Sequence, residues 1–103
     1  MRPIHLKVII TVHGIVQGVG YRDYVRRVAR RYGVTGSVRN VSDGSVEIYA
    51  TGEEPQLRDF EKGISVSMRY GPQVFKVETV PHFGKPDEAY PDGDFIIRDD
   101  KVL

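Results

Sequence analysis

An α+β fold, with two helices on one face of an antiparallel sheet, is predicted by three observations. Apolar residues alternate at every second position in several short runs, two intervening segments switch to helical spacing, and the elements fall in the order β-α-β-β-α-β plus a short terminal strand. Leu6, Val8, Ile10 and Val12 alternate with Lys7, Ile9, Thr11 and His13, the period of a strand with one buried face. From Tyr21 the period changes: Tyr21, Val25, Val28, Ala29 and Tyr32 share a helical stripe, Arg26, Arg27, Arg30 and Arg31 lie outside it, and Gly33 marks the stop. A second strand runs from Thr35 to Val41, and Asp43-Gly44 supplies a two-residue hairpin turn into the alternating run Ser45 to Thr51. Glu53, Glu54 and Pro55 open the next helix, whose buried stripe is Leu57, Phe60, Ile64 and Met68; Gly63 weakens it and Gly71-Pro72 ends it. Val74 to Val80 reads as a strand and Phe95 to Arg98 as a short terminal one. Between them, Pro81 to Gly93 is rich in Pro, Gly and Asp, which marks a surface connection.

This order is the ferredoxin-like split-βαβ sandwich, expected here as one domain over residues 1–103. The first helix is then a right-handed crossover, so the first two strands run parallel and their carboxyl ends reach the same edge. Asn40 is thereby brought toward the stretch Gly14 to Arg22, with the third strand between them.

Composition removes whole classes of chemistry. The chain has no cysteine, which excludes disulfides, thiolate zinc sites and cysteine nucleophiles. His5, His13 and His82 lie in different segments without a ligand spacing, so neither a metal nor a cofactor is expected. No long apolar block builds a signal peptide or a membrane span, and a cytoplasmic protein without membrane association is the expectation. Fifteen Lys and Arg against fourteen Asp and Glu leave a charge of +1, too balanced to imply nucleic acid by net charge. Any preference for anions must be local.

One stretch supplies such a preference. In Gly14-Ile15-Val16-Gln17-Gly18-Val19-Gly20-Tyr21-Arg22, three glycines let main-chain N–H groups converge on an anion, and the following helix presents the positive end of its dipole. The glycines alone serve equally as a tight strand-to-helix turn. Arg22 separates the two readings, because a cation in the first turn opposes the helix dipole unless an anion lies between them. Neither the Lys-Ser/Thr of a nucleotide P-loop nor the third glycine of a dinucleotide fingerprint is present, so the cradle suits a small phosphate. Asn40 is explained by hairpin chemistry or by a role at this site, where its amide donates and accepts without titrating.

Taken together, Val12 to Arg22, Gly33-Val34-Thr35-Gly36-Ser37-Val38-Arg39-Asn40 and Asp43-Gly44-Ser45-Val46-Glu47 closely resemble the acylphosphatases. The resemblance is densest from His13 to Gly52; Tyr21 stands where phenylalanine is frequent, Ser37 where an aromatic is frequent and Ile15 where a polar or basic residue is usual. Ser37 is expected to loosen the packing of the second strand, and Pro81 to Gly93 departs most from the family pattern. The resemblance implies a metal-independent hydrolase that cleaves the carboxyl-phosphate anhydride of small acyl phosphates. In it Arg22 corresponds to the phosphate-binding arginine, Asn40 to the water-positioning asparagine, and Val16, Gln17, Gly18, Val19, Gly20 and Tyr21 to the cradle. It further implies inorganic phosphate as product and competitive inhibitor. A free-standing monomer is expected, although the same domain also occurs within larger hydrogenase maturation proteins. Two rivals remain at this level: a noncatalytic phosphate-binding module, and an RNA-binding module using the arginine face of the first helix, which otherwise reads as solvated surface.

Overall fold

The computed structural model describes residues 4–83, 89–91 and 93–103. Its elements are β1 (His5–Ile15), α1 (Tyr21–Tyr32), β2 (Thr35–Asn40), β3 (Val46–Glu53), α2 (Glu54–Ile64), β4 (Gln73–Pro81) and β5 (Phe95–Ile97). The five strands form one sheet in the order β4-β1-β3-β2-β5. All neighbours pair antiparallel except β2 with β5, which run parallel.

The core lies between the helices and one sheet face. Ile10 and Val12 of β1, Val46, Ile48 and Ala50 of β3 and Val38 of β2 meet Val25, Val28 and Ala29 of α1 and Leu57, Phe60 and Ile64 of α2. Each large side chain buried there contributes roughly 1.5–3 kcal/mol relative to exposure. Helix α1 stops at Gly33, whose left-handed backbone lets the N–H groups of Gly33 and Val34 turn back to the carbonyls of Arg30 and Ala29. Helix α2 starts with a reciprocal capping box between Glu53 and Gln56, followed by Pro55 in its first turn.

Gly63, unfavourable for a helix, marks a close approach of α2 to α1. A Cβ there would sit 2.7 Å from Cγ1 of Val28. At this contact Tyr24 Oη–H donates to the carbonyl of Gly63 (2.7 Å) and Tyr21 Oη–H to that of Ile64 (2.8 Å). Burial, reinforced by the neighbouring Tyr24, lifts the Tyr21 hydroxyl far above its ordinary range, so it stays a neutral donor.

These two hydroxyls also explain why α2 does not run on to Met68. A continuing helix would give the Ile64 carbonyl to the N–H of Met68. That N–H instead donates to Pro72 O (2.9 Å), and Val74 N–H to Val66 O (2.8 Å), so the chain turns back toward β4 and Met68 is 37% exposed rather than core.

Three further expectations change. The β2–β3 connection is a three-residue loop rather than a two-residue turn: Gly44 N–H donates to Val41 O and Val41 N–H to Ser45 O, with Gly44 at φ 95°. Asp43 Oδ1 accepts from both the N–H and Oγ–H of Ser45 and so favours this geometry. The stretch Pro81 to Gly93 is not merely a surface connection. Residues 84–88 and 92 lie outside the described residues, but Ala89 and Tyr90 are buried, and Tyr90 packs on Tyr49 and His82 over the outer sheet face. Ser37, fully buried, donates Oγ–H to Ala89 O (2.8 Å), so the small residue anchors this covering segment instead of loosening β2.

Replacing Tyr24 or Tyr21 by Phe leaves a helix-end carbonyl without its donor. Each variant should lose about 1 kcal/mol, a fall of about 4–8 °C in thermal midpoint for a domain of this size. Midpoints equal to the parent's in a thermal melt would show that water replaces the hydroxyls at no cost.

Candidate active site

The segment between β1 and α1 crosses the carboxyl edge of the sheet. Val16, 2% exposed, roots it in the core, and Val19 packs against the same cluster. Gly18 (φ 72°) and Gly20 (φ 78°) take left-handed backbone, and a Cβ at either would meet nothing within 4 Å. They are therefore required by backbone sign, not by crowding. Gly20 is also the N-cap of α1, and among the described residues the helix start has no side-chain cap hydrogen bond. Its first-turn N–H groups are thus left for an anion or water, at the positive end of the dipole.

Beside this loop is a concavity of about 220 Å³ lined by Val16, Gly18, Gly20, Tyr21, Arg22 and Ile97, together with Asp23. Hydrogen bonding from Arg26 (2.6 Å), aided by Arg27 (3.3 Å), holds the Asp23 carboxyl below its usual range. That carboxylate is already engaged by cations on its own helix. Among the described residues, the one ion pair of Arg22 is a long contact, Nη1 to Asp100 Oδ1 at 3.5 Å, with side chains 38% and 65% exposed. A pair so exposed contributes little and yields easily to a stronger anion.

Asn40 does not line that concavity; it ends β2 opposite Val46, which is itself opposite Val12 of β1. Two strand spacings, about 10 Å, therefore separate the backbones of β1 and β2 here. Asn40 Oδ1 is buried with no hydrogen-bond partner among the described residues. An acceptor left so is costly unless a ligand or water completes it. The segment after β5 brings Asn40 and Arg22 into one neighbourhood: Lys101 N–H donates to Asn40 O (2.8 Å), while the adjacent Asp100 contacts Arg22.

Gln17, expected only as part of the main-chain cradle, uses its side chain as well. Its Nε2 donates to Val41 O (2.7 Å) and Ser45 O (2.8 Å) across the hairpin. Below the hairpin, Glu47 joins Arg39 (2.7 Å) and Lys101 (3.3 Å). Asp100 and Lys101 carry no local pattern that marks them, and Ile97 is expected only as part of the terminal strand; the parallel placement of β5 beside β2 brings them here. Of the histidines, His13 pairs with Glu78 (3.0 Å) and His82 stacks on Tyr90, and among the described residues no three metal-ligating side chains gather.

The family model and the curated relatives point to one family. The acylphosphatase family model matches residues 8–97. An acylphosphatase of Thermotoga petrophila is 44% identical over 91 residues, covering 86% of this chain and 92% of the relative. One from Frankia casuarinae is 58% identical over 48 residues, where the match spans 47% of this chain and 54% of that relative. The crystal structure of acylphosphatase from Bacillus subtilis superposes with a TM-score of 0.77 at 31% identity, over 90% of this chain and 98% of that one. No helix among the described residues is long and apolar enough to cross a membrane.

Burial alone would raise the carboxyl of Glu47, but hydrogen bonds and charge from Arg39 and Lys101 outweigh it and hold the group below the ordinary 4.5. A depressed folded-state value gives stability that is present above the unfolded value and lost as pH falls through the folded one. The parent should thus lose part of its stability below about pH 4.5. Glu47→Gln should already be less stable at pH 7 and show a flatter acid limb. Thermal midpoints of both proteins from pH 7 to pH 3 check this, and parallel curves would remove Glu47 from the acid response.

Proposed function

This chain belongs to the acylphosphatase family and is an enzyme of that kind, and we propose that it hydrolyses small acyl phosphates by in-line attack of a water held at Asn40. The observation that carries this reading is the pairing, among the described residues, of a helix N-terminus without a side-chain cap beside Arg22 with a buried Asn40 Oδ1, on the same sheet edge, that has no hydrogen-bond partner.

The phosphate group enters the cradle formed by residues 16–21, displaces Asp100 from Arg22, and takes the guanidinium fork on two of its oxygens. Asn40 Oδ1 accepts a hydrogen bond from water and so aims a lone pair at phosphorus. The water oxygen bonds to phosphorus as the bond to the acyl oxygen breaks; the carboxylate leaves with that electron pair, and the water proton passes to a phosphate oxygen. A carboxylate leaves readily, so no strong general acid is required. Arg22 and the main-chain donors stabilise the charge on the equatorial oxygens, and positioning supplies the remainder. Inorganic phosphate, the product, occupies the same donors and competes with substrate. In this reading the reaction needs no metal ion, and the protein acts as a cytoplasmic monomer.

RNA binding is disfavoured by a specific feature. Tyr49 on the outer sheet face is covered by Tyr90 and His82, with Arg39 and Arg98 over its ring, and so offers no open stacking platform.

Benzoyl phosphate hydrolysis should persist in excess chelator, with little action on phosphate monoesters. Activity lost in chelator and restored by a divalent ion would overturn the metal-free route. Arg22→Ala should weaken inorganic phosphate inhibition and turnover together, with Arg22→Lys only a partial rescue because it lacks the fork. Asn40→Ala should cut turnover by roughly two to three powers of ten while leaving phosphate inhibition nearly intact. Should Asn40→Ala instead lower the thermal midpoint and spare turnover per folded molecule, the asparagine serves only the hairpin.

A further inference from the structure

We propose that the Gln17 side chain is a positioning residue, which fixes the hairpin carrying Asn40 at a set distance from the phosphate cradle. The proposal rests on the assignment of Asn40 to the attacking water. Gln17 lies inside the cradle loop, yet its amide turns away from the concavity, which it does not line, and toward the hairpin. A primary amide has two N–H groups, and both find main-chain carbonyls: Val41 O, immediately after Asn40, at 2.7 Å and Ser45 O, at the foot of β3, at 2.8 Å. The bonds span 24 and 28 residues of sequence and are partly buried, so they join segments that local structure does not.

The sheet by itself sets only backbone spacing, with the width of β3 between β1 and β2. The loop leaves β1 through a register shift at His13/Gly14 and then passes two left-handed glycines, a path with latitude of its own. The Gln17 amide removes that latitude at the point where water and phosphorus must align. Val41 O also accepts from Gly44 N–H, and Ser45 O from Val41 N–H, so the two carbonyls that Gln17 holds are those that define the turn. In-line attack is sensitive to this alignment, since a misplacement of about 1 Å costs about 100-fold in rate.

Gln17→Met keeps the length of the side chain and deletes both donors. It should lower kcat for benzoyl phosphate by about 10- to 100-fold while KM and the phosphate inhibition constant stay within about threefold, because Arg22 and the cradle N–H groups remain. Gln17→Asn, which keeps the amide but is one methylene short, should show the same split, and it serves as the probe if the methionine variant does not fold. The deciding measurement is a double-mutant cycle with Asn40→Ala. If Gln17 acts through Asn40, adding Gln17→Met to Asn40→Ala should cost less than about threefold further. Full multiplication of the two losses, or a fall in thermal midpoint with kcat per folded molecule unchanged, overturns the positioning role. A near-normal Asn40→Ala parent would instead reject the water assignment itself, an outcome the cycle reports separately.

Discussion

The pairing of β3 with both β1 and β2 governs everything placed at the sheet edge. Val46 sits opposite Val12 on one side and Asn40 on the other, so a single strand sets where the cradle departs and where the asparagine stands. The same strand turns Val46, Ile48 and Ala50 into the core. A slip of one residue would carry all three to the opposite face, which costs several kcal/mol of buried surface. The register of this edge is therefore enforced by apolar burial on the helix-covered face of the same sheet.

Much of this was legible because its causes are local. Period-two runs and helical stripes gave the element order, and Gly33 the end of α1. What escaped depends on partners distant in sequence. Met68 continues the apolar spacing of α2, but hydroxyls from α1 take the carbonyls that further helix would need. The amide of Gln17 finds carbonyls 24 and 28 residues away, and nothing in its own neighbourhood announces them. Asp100 and Lys101 reach the site only because β5 adds parallel to β2, a pairing that a three-residue run cannot declare.

Ser37 and the stretch around Ala89 illustrate a departure that is coherent when both halves are seen. Each alone looks like a defect: a small polar residue within a strand, and a connection rich in turn-forming residues. In the structure the hydroxyl of one satisfies a carbonyl of the other, and Tyr90 lies across the outer face against Tyr49 and His82. Lys7 over Tyr90, and Arg39 and Arg98 over Tyr49, add cation–π contacts of about 0.5–1 kcal/mol each. A large side chain at position 37 would occupy the space this covering segment uses, so the two features form one solution to closing the second sheet face.

The contact between Arg22 and Asp100 spans 78 positions of sequence. During synthesis the cradle, α1 and Asn40 are all made before β5 and the 98–101 segment that borders them. The nascent chain can bury Val12, Val46 and Val38 early, yet the neighbourhood of Arg22 and Asn40 is finished only after nearly all of the domain has been translated. Closure of this kind has its loop-closure entropy met late, after the local elements have formed. It also means that a ribosome-bound intermediate would carry an arginine and an uncapped helix end open to any cellular anion, well before the protein can turn one over.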